Sequence, residues 1–135
     1  MKTRKGFCRR GVAVAVCLLG MLAMPKVSAQ QPFVVEGELT GVPDGTVIML
    51  MERRGEMGIE VASDTLRDDR FRLEAVAPDT RMYHIRIERE NYMTNMHMIW
   101  AHSGDKVTVK GNNRHGFSWQ VESTNPIQSE QEAYY

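Results

Sequence analysis

The stretch NYMTNMHMIWAH, from Asn91 to His102, holds the densest set of side chains able to do chemistry. Read as a strand, it places Met96, Met98 and Trp100 on one face, and the rise per residue sets the two thioethers about 7 Å apart. Soft sulfur donors of this kind suit Cu(I). His97 points to the opposite face, where Met93 lies too far along the strand to join it. The imidazole that could complete a set with Met96 and Met98 is His84, on another strand whose pairing the sequence leaves open. The competing use of the same residues is packing, because Met adapts to irregular gaps in a core. Packing is the expectation for Met96, Met98 and Trp100, and no metal or cofactor is expected.

Three other clusters invite a chemical reading. HSGD brings His102, Ser103 and Asp105 together, but a catalytic triad needs three groups converging from rigid positions, which neighbours in one turn seldom achieve. Asp64, Asp68 and Asp69 could gather Ca²⁺, yet that ion wants six or more oxygens, and a solvated hairpin turn is the simpler expectation. In NNRHGFSW the rings of Phe117 and Trp119 could stack on a sugar, while their alternation with Ser118 and Gln120 sends both inward beside Val121. No catalytic residue is expected, and the chain is not read as an enzyme by itself.

The elements that must carry these residues show period-two alternation almost throughout. Phe71 and Leu73 oppose Arg70, Arg72 and Glu74; Tyr83, Ile85 and Ile87 oppose His84, Arg86 and Glu88; Val107 and Val109 continue the pattern in KVTVK. TVIMLME is apolar on both faces and belongs in the middle of a sheet. Gly, Pro, Asn and Asp punctuate the runs in GVPDG, DTLRDD, APDT, SGD and GNNRHG. About eight short strands at intervals of roughly ten residues predict an all-β fold, an antiparallel β-sandwich.

Residues 1–29 read as an export signal. Lys2, Arg4, Lys5, Arg9 and Arg10 precede the short apolar run GVAVAVCLLGMLAM, and VSA before Gln30 is a cleavage site of the small-residue type. Lipidation at Cys17 is disfavoured by the bulky Val16 and by the apolar run continuing past it, and a twin-arginine signal by the residues that follow Arg10. The expected product is periplasmic, with a sandwich domain over residues 30–124, the start of a helix or connector over 125–135, and no integral membrane segment. All the charged residues of the leader are basic, so the remainder is acidic and a poor match for nucleic acid. Both cysteines, Cys8 and Cys17, also fall in the leader, which leaves the mature part without a disulfide or a thiol nucleophile.

The segments VEGELTGVPDGTVIML, SDTLRDDRFRLEA, MYHIRI, SGDKVTVKG and VESTNP, in this order, carry a resemblance over nearly all of the mature chain. They resemble the β-rich N-terminal domain, of unknown function, of exported thiol:disulfide interchange proteins of the TlpA/ResA-like and AhpC/TSA type in Gram-negative bacteria. Asp69 departs from the family pattern, which has Gly in that turn; Asp tolerates the left-handed region better than most residues, so the turn is expected to persist. Ser103 stands where the family has Pro. The resemblance implies a connector and a thioredoxin-like domain with Cys-x-x-Cys after this one, and the chain stops where the connector would begin. Any redox chemistry would therefore lie in that following domain.

In TNPIQSEQEAYY, Asn125 is a good N-cap, Pro126 suits the first helical position, and Gln128 sits where a capping-box partner belongs. Ile127, Gln131 and Tyr134 form a stripe that must either fold back on the sandwich or begin a junction. The resemblance implies a non-catalytic accessory module that positions a redox domain or contacts periplasmic proteins. Arg70, Arg72, Arg86 and Glu88 are the expected contact face. The alternative is a free-standing periplasmic binding protein for a peptide, a small ligand or Cu(I).

Overall fold

A strand with one apolar face is stable only when that face leaves water, and two such sheets solve the problem together. The computed structural model describes residues 30–88 and 96–134, so the leader and Met93 lie outside the described residues. Its elements are β1 (Phe33–Leu39), β2 (Val47–Arg54), β3 (Met57–Thr65), β4 (Arg70–Ala75), β5 (Arg81–Ile87), β6 (Met96–Ala101), β7 (Lys106–Gly111), β8 (Gln120–Ser123) and a helix, α1 (Pro126–Glu132). They form two four-stranded sheets, ordered β4-β1-β7-β8 and β3-β2-β5-β6. As expected, the fold is an all-β sandwich of eight strands ending in a short helix.

The core lies between the sheets. Phe33, Val35, Leu39, Val107 and Val109 of the β1 sheet meet Ile48, Leu50, Tyr83, Ile85 and Ile99 of the β2 sheet, all of them 0–1% exposed. The rings of Phe33 and Tyr83 touch across the gap with centroids 4.9 Å apart. At one rim Glu52 is buried and ionically held, since Arg54 meets it at 3.2 Å and Arg81 at 2.8 Å. β2 is a central strand, flanked by β3 and β5, as its two apolar faces require.

One pairing departs from the antiparallel expectation. β1 and β7 run parallel, from Val34 opposite Lys106 to Leu39 opposite Gly111. β7 enters the sheet at the end where β1 begins, with the Val34 N–H donating to the Asp105 carbonyl at 3.0 Å, and so it must run in the same direction. Alternation reports which face is buried, not which way a neighbour points, and the sequence could not reveal this. A second departure is Phe117, expected inward but 62% exposed: Gly116–Ser118 forms a 3₁₀ turn that breaks the period of two, while Trp119 and Val121 remain buried.

Two turns show how local chemistry fixes the frame. Asp68 and Asp69 both have positive φ (50° and 63°), and Arg67 and Arg70 exchange both backbone hydrogen bonds around them. This is the type I′ geometry that suits a tight hairpin, and the turn does persist with Asp69 in place of Gly. On the buried face of β1, Gly37 lies under the ring of Phe71: a Cβ there would stand 1.9 Å from Phe71 Cε1.

Asp69→Gly relieves the left-handed strain of one residue, offset by the extra freedom glycine gives the unfolded chain. It is expected to raise stability by about 0.5–1 kcal/mol. Gly37→Ala forces the Phe71 ring to move and is expected to cost about 1–3 kcal/mol. Urea titrations followed by circular dichroism check both, and the Gly37→Ala loss should shrink when Phe71 is replaced by Ala.

Candidate functional site

Asp105 closes the turn between β6 and β7. Its buried Oδ2 accepts from the His102 N–H (2.8 Å) and the Asn125 side-chain amide (2.8 Å) and lies 2.7 Å from His102 Nδ1, while Oδ1 accepts from Thr124 Oγ1 at 3.2 Å. Burial alone would raise this carboxyl. The bonds from the His102 N–H, Asn125 and the His102 ring outweigh it and hold the group below the usual carboxylate range. Ser103 does not join them: its Oγ accepts from the Ala77 N–H at 3.0 Å. His102, Ser103 and Asp105 thus form a structural turn in which the serine is engaged elsewhere.

The same carboxylate anchors the helix. Asn125 donates its amide N–H to Asp105, and its Oδ1 accepts from the Ile127 N–H at 3.0 Å, which confirms it as the N-cap. Gln128 does not act as a capping-box partner. It is fully buried, accepts from the Trp100 N–H at 2.7 Å and donates to Glu132 at 2.7 Å, so it closes the outer edge of β6. His97 lies 3.1 Å from the same Glu132 oxygen through Nε2 and 2.7 Å from the Gly116 carbonyl through Nδ1. Ile127, Gln131 and Tyr134 border a groove with Met82, Met98 and Trp100, but Ile127 and Tyr134 stay exposed, and it is Gln128 that seats the helix on the sandwich.

The sheets divide the expected contact face. Arg70 and Arg72 project from the outer side of the β1 sheet, where Arg72 meets Glu36 at 3.3 Å and Glu74 at 2.6 Å. Arg86 and Glu88 project from the outer side of the β2 sheet, since Ile85 and Ile87 between them face the core. The four residues are on opposite sides of the sandwich and form no common surface. Asp64 spends its oxygens on the Thr65 and Arg72 N–H groups, each at 2.8 Å, and holds β3 to β4.

Met96, Met98 and Trp100 also depart from the expected placement. The core face of β6 is Ile99 and Ala101, both fully buried, and the two methionines and the tryptophan line the outer face instead. They are not alone there. Met51 pairs with His84 across β2 and β5, and His84 pairs with Met98 across β5 and β6, giving an unbroken row Met51–His84–Met98 on one face. Met49 and Met96 flank Arg86 in the next row, and Met82 faces Trp100 in the row beyond. Burial first, and the charge of Arg53 second, push His84 down, favouring its neutral form. Met49, Met51 and Met82 were not singled out from the sequence; the parity they share with His84 and Arg53 was the available signal.

Comparison with protein-family models, with curated proteins and with solved structures returned no match to this chain.

Asp105→Asn puts a donor amide where a carboxylate accepts. It is expected to cost about 1.5–3 kcal/mol near neutral pH. Because the folded group lies below its unfolded value, its contribution is complete above about pH 4 and is lost as pH falls through the lower folded value. Stability measured from pH 7 to pH 2 should therefore fall less steeply on the acid side in the variant than in the parent.

Proposed function

We propose that this domain is a non-catalytic accessory module of an exported, periplasmic thioredoxin-like disulfide reductase, in which it sets the position of the redox domain and offers a surface to partner proteins. The observation that supports this reading is the docking of α1. Asn125, Gln128 and Glu132 tie the cap, the first turn and the last residue of α1 to Asp105, to the Trp100 backbone and to His97. Such a helix leaves the sandwich in one fixed direction, which is what a connector needs if it is to present a second domain in a defined place. Redox chemistry in this arrangement belongs to the Cys-x-x-Cys of the following domain.

The groove beside α1 favours a second reading, a free-standing periplasmic binding protein for a peptide or small ligand. Ile127 and Tyr134 are 43% and 90% exposed along it, beside half-buried Met98 and Trp100, and apolar side chains of this kind are suited to a partner's apolar segment.

The intact mass of the native product in a periplasmic extract separates the two. The accessory reading expects a product that begins at Gln30 and continues past Tyr135 into a Cys-x-x-Cys domain. In that longer protein, Gln128→Ala should slow reduction of protein disulfides while leaving reduction of a small disulfide unchanged. A product ending at Tyr135 would transfer the assignment to the binding protein.

A further inference from the structure

We propose that the outer face of the β2 sheet binds one soft monovalent metal ion, Cu(I) in chemical class, through the thioethers of Met51 and Met98 and the imidazole of His84. This site does not rest on the accessory reading and would stand with either function.

The first argument is placement. Met49, Met51, Met82, Met96 and Met98 all lie on this one outer face, spread over three adjacent strands, whereas aliphatic and aromatic side chains fill the core. Met49 and Met51 are buried on this face, and Met82, Met96 and Met98 are half-buried. Directly paired residues in an antiparallel sheet bring their Cβ atoms to about 4.5–5.5 Å, so the sulfurs on either side of His84 are within side-chain reach of a single ion above its ring. The Met51 methyl lies on the β3 side, 3.5 Å from where a Cβ of Gly58 would stand, so this side chain must turn toward β5 to meet an ion beside His84.

The second argument is the setting of the imidazole. His84 is only 8% exposed, and among the described residues no protein group hydrogen-bonds its ring, whose nitrogens are not sealed from solvent and so stay open to an outside partner. The chemistry of the surroundings then selects the ion. Arg53 and Arg86 border the row along β2 and β5, and the nearest carboxylate in register is the exposed Glu60 opposite Met51. Two neutral thioethers and an imidazole, with no carboxylate among them, disfavour a hard ion and leave Cu(I), or Ag(I) as its mimic, as the fitting class.

The test uses the purified chain with Cys8→Ser and Cys17→Ser, since thiolates would compete for the ion. Under anaerobic conditions the chain is titrated with Cu(I) against a coloured Cu(I) chelator and with Ag(I) followed by NMR of the methionine methyl groups. The expected result is one equivalent of metal, with the Met51 and Met98 methyl signals shifting and that of exposed Met57 staying in place. Met51→Leu/Met98→Leu preserves packing volume and removes both sulfurs; it and His84→Phe should each weaken binding by at least about tenfold, and Met57→Leu should leave it unchanged. Retention of metal within about twofold by both site variants would overturn the proposal. So would the absence of Cu(I) and Ag(I) binding by a chain with native circular dichroism.

Discussion

A single buried carboxylate joins parts of the chain that would otherwise meet only at their ends. Asp105 takes bonds from its own turn, from Thr124 beyond β8 and from the cap of α1, while its carbonyl accepts from the Val34 N–H near the start of β1. An ionised group is costly to bury unless each lone pair is used, and here four donors converge on it. The parallel entry of β7, the end of β8 and the start of the helix are all set from this corner. The groove beside α1 and the covering of the β6 edge depend on it in turn, because Gln128 reaches Trp100 only if the helix starts where Asn125 is held.

The fold was legible where alternation is unambiguous. In RFRLEA the aromatic and aliphatic residues face the core and the charged ones do not, and β7 behaves in the same way. Turn chemistry was equally direct at Asp68 and Asp69, because a two-residue hairpin demands positive φ and acidic residues can adopt it. Direction and partner choice were not legible, since strand order in the two sheets is decided by packing between segments far apart in sequence. The antiparallel expectation failed at β1 and β7 for that reason.

The candidate site was harder to read because MHMIWA is apolar in both registers. Ile99 and Ala101 won the core face over Met98 and Trp100: a branched aliphatic and a small residue fit the close approach of the sheets, and the larger pair was left outside. Reversing that single assignment changes the meaning of the neighbours, since His84 then becomes the middle of a row that holds Met51 as well as Met98. The same logic separates Arg70 and Arg72 from Arg86 and Glu88, whose local patterns look alike but belong to different sheets.

The order of the strands also dictates when each can form. The β2 sheet is built from neighbours in sequence, β2 with β3 and β5 with β6, with β2 and β5 joined across β3 and β4, so much of it can assemble from early contacts. β1 is different. It is made first, yet it lies between β4 and β7 and cannot complete its pairing until Lys106–Gly111 has emerged. The loop that must close to bring β7 beside it is the longest in the domain, with its entropy cost met only near the end of folding. The domain therefore completes its second sheet last, and a chain caught in passage carries β1 paired to β4 with its other edge open.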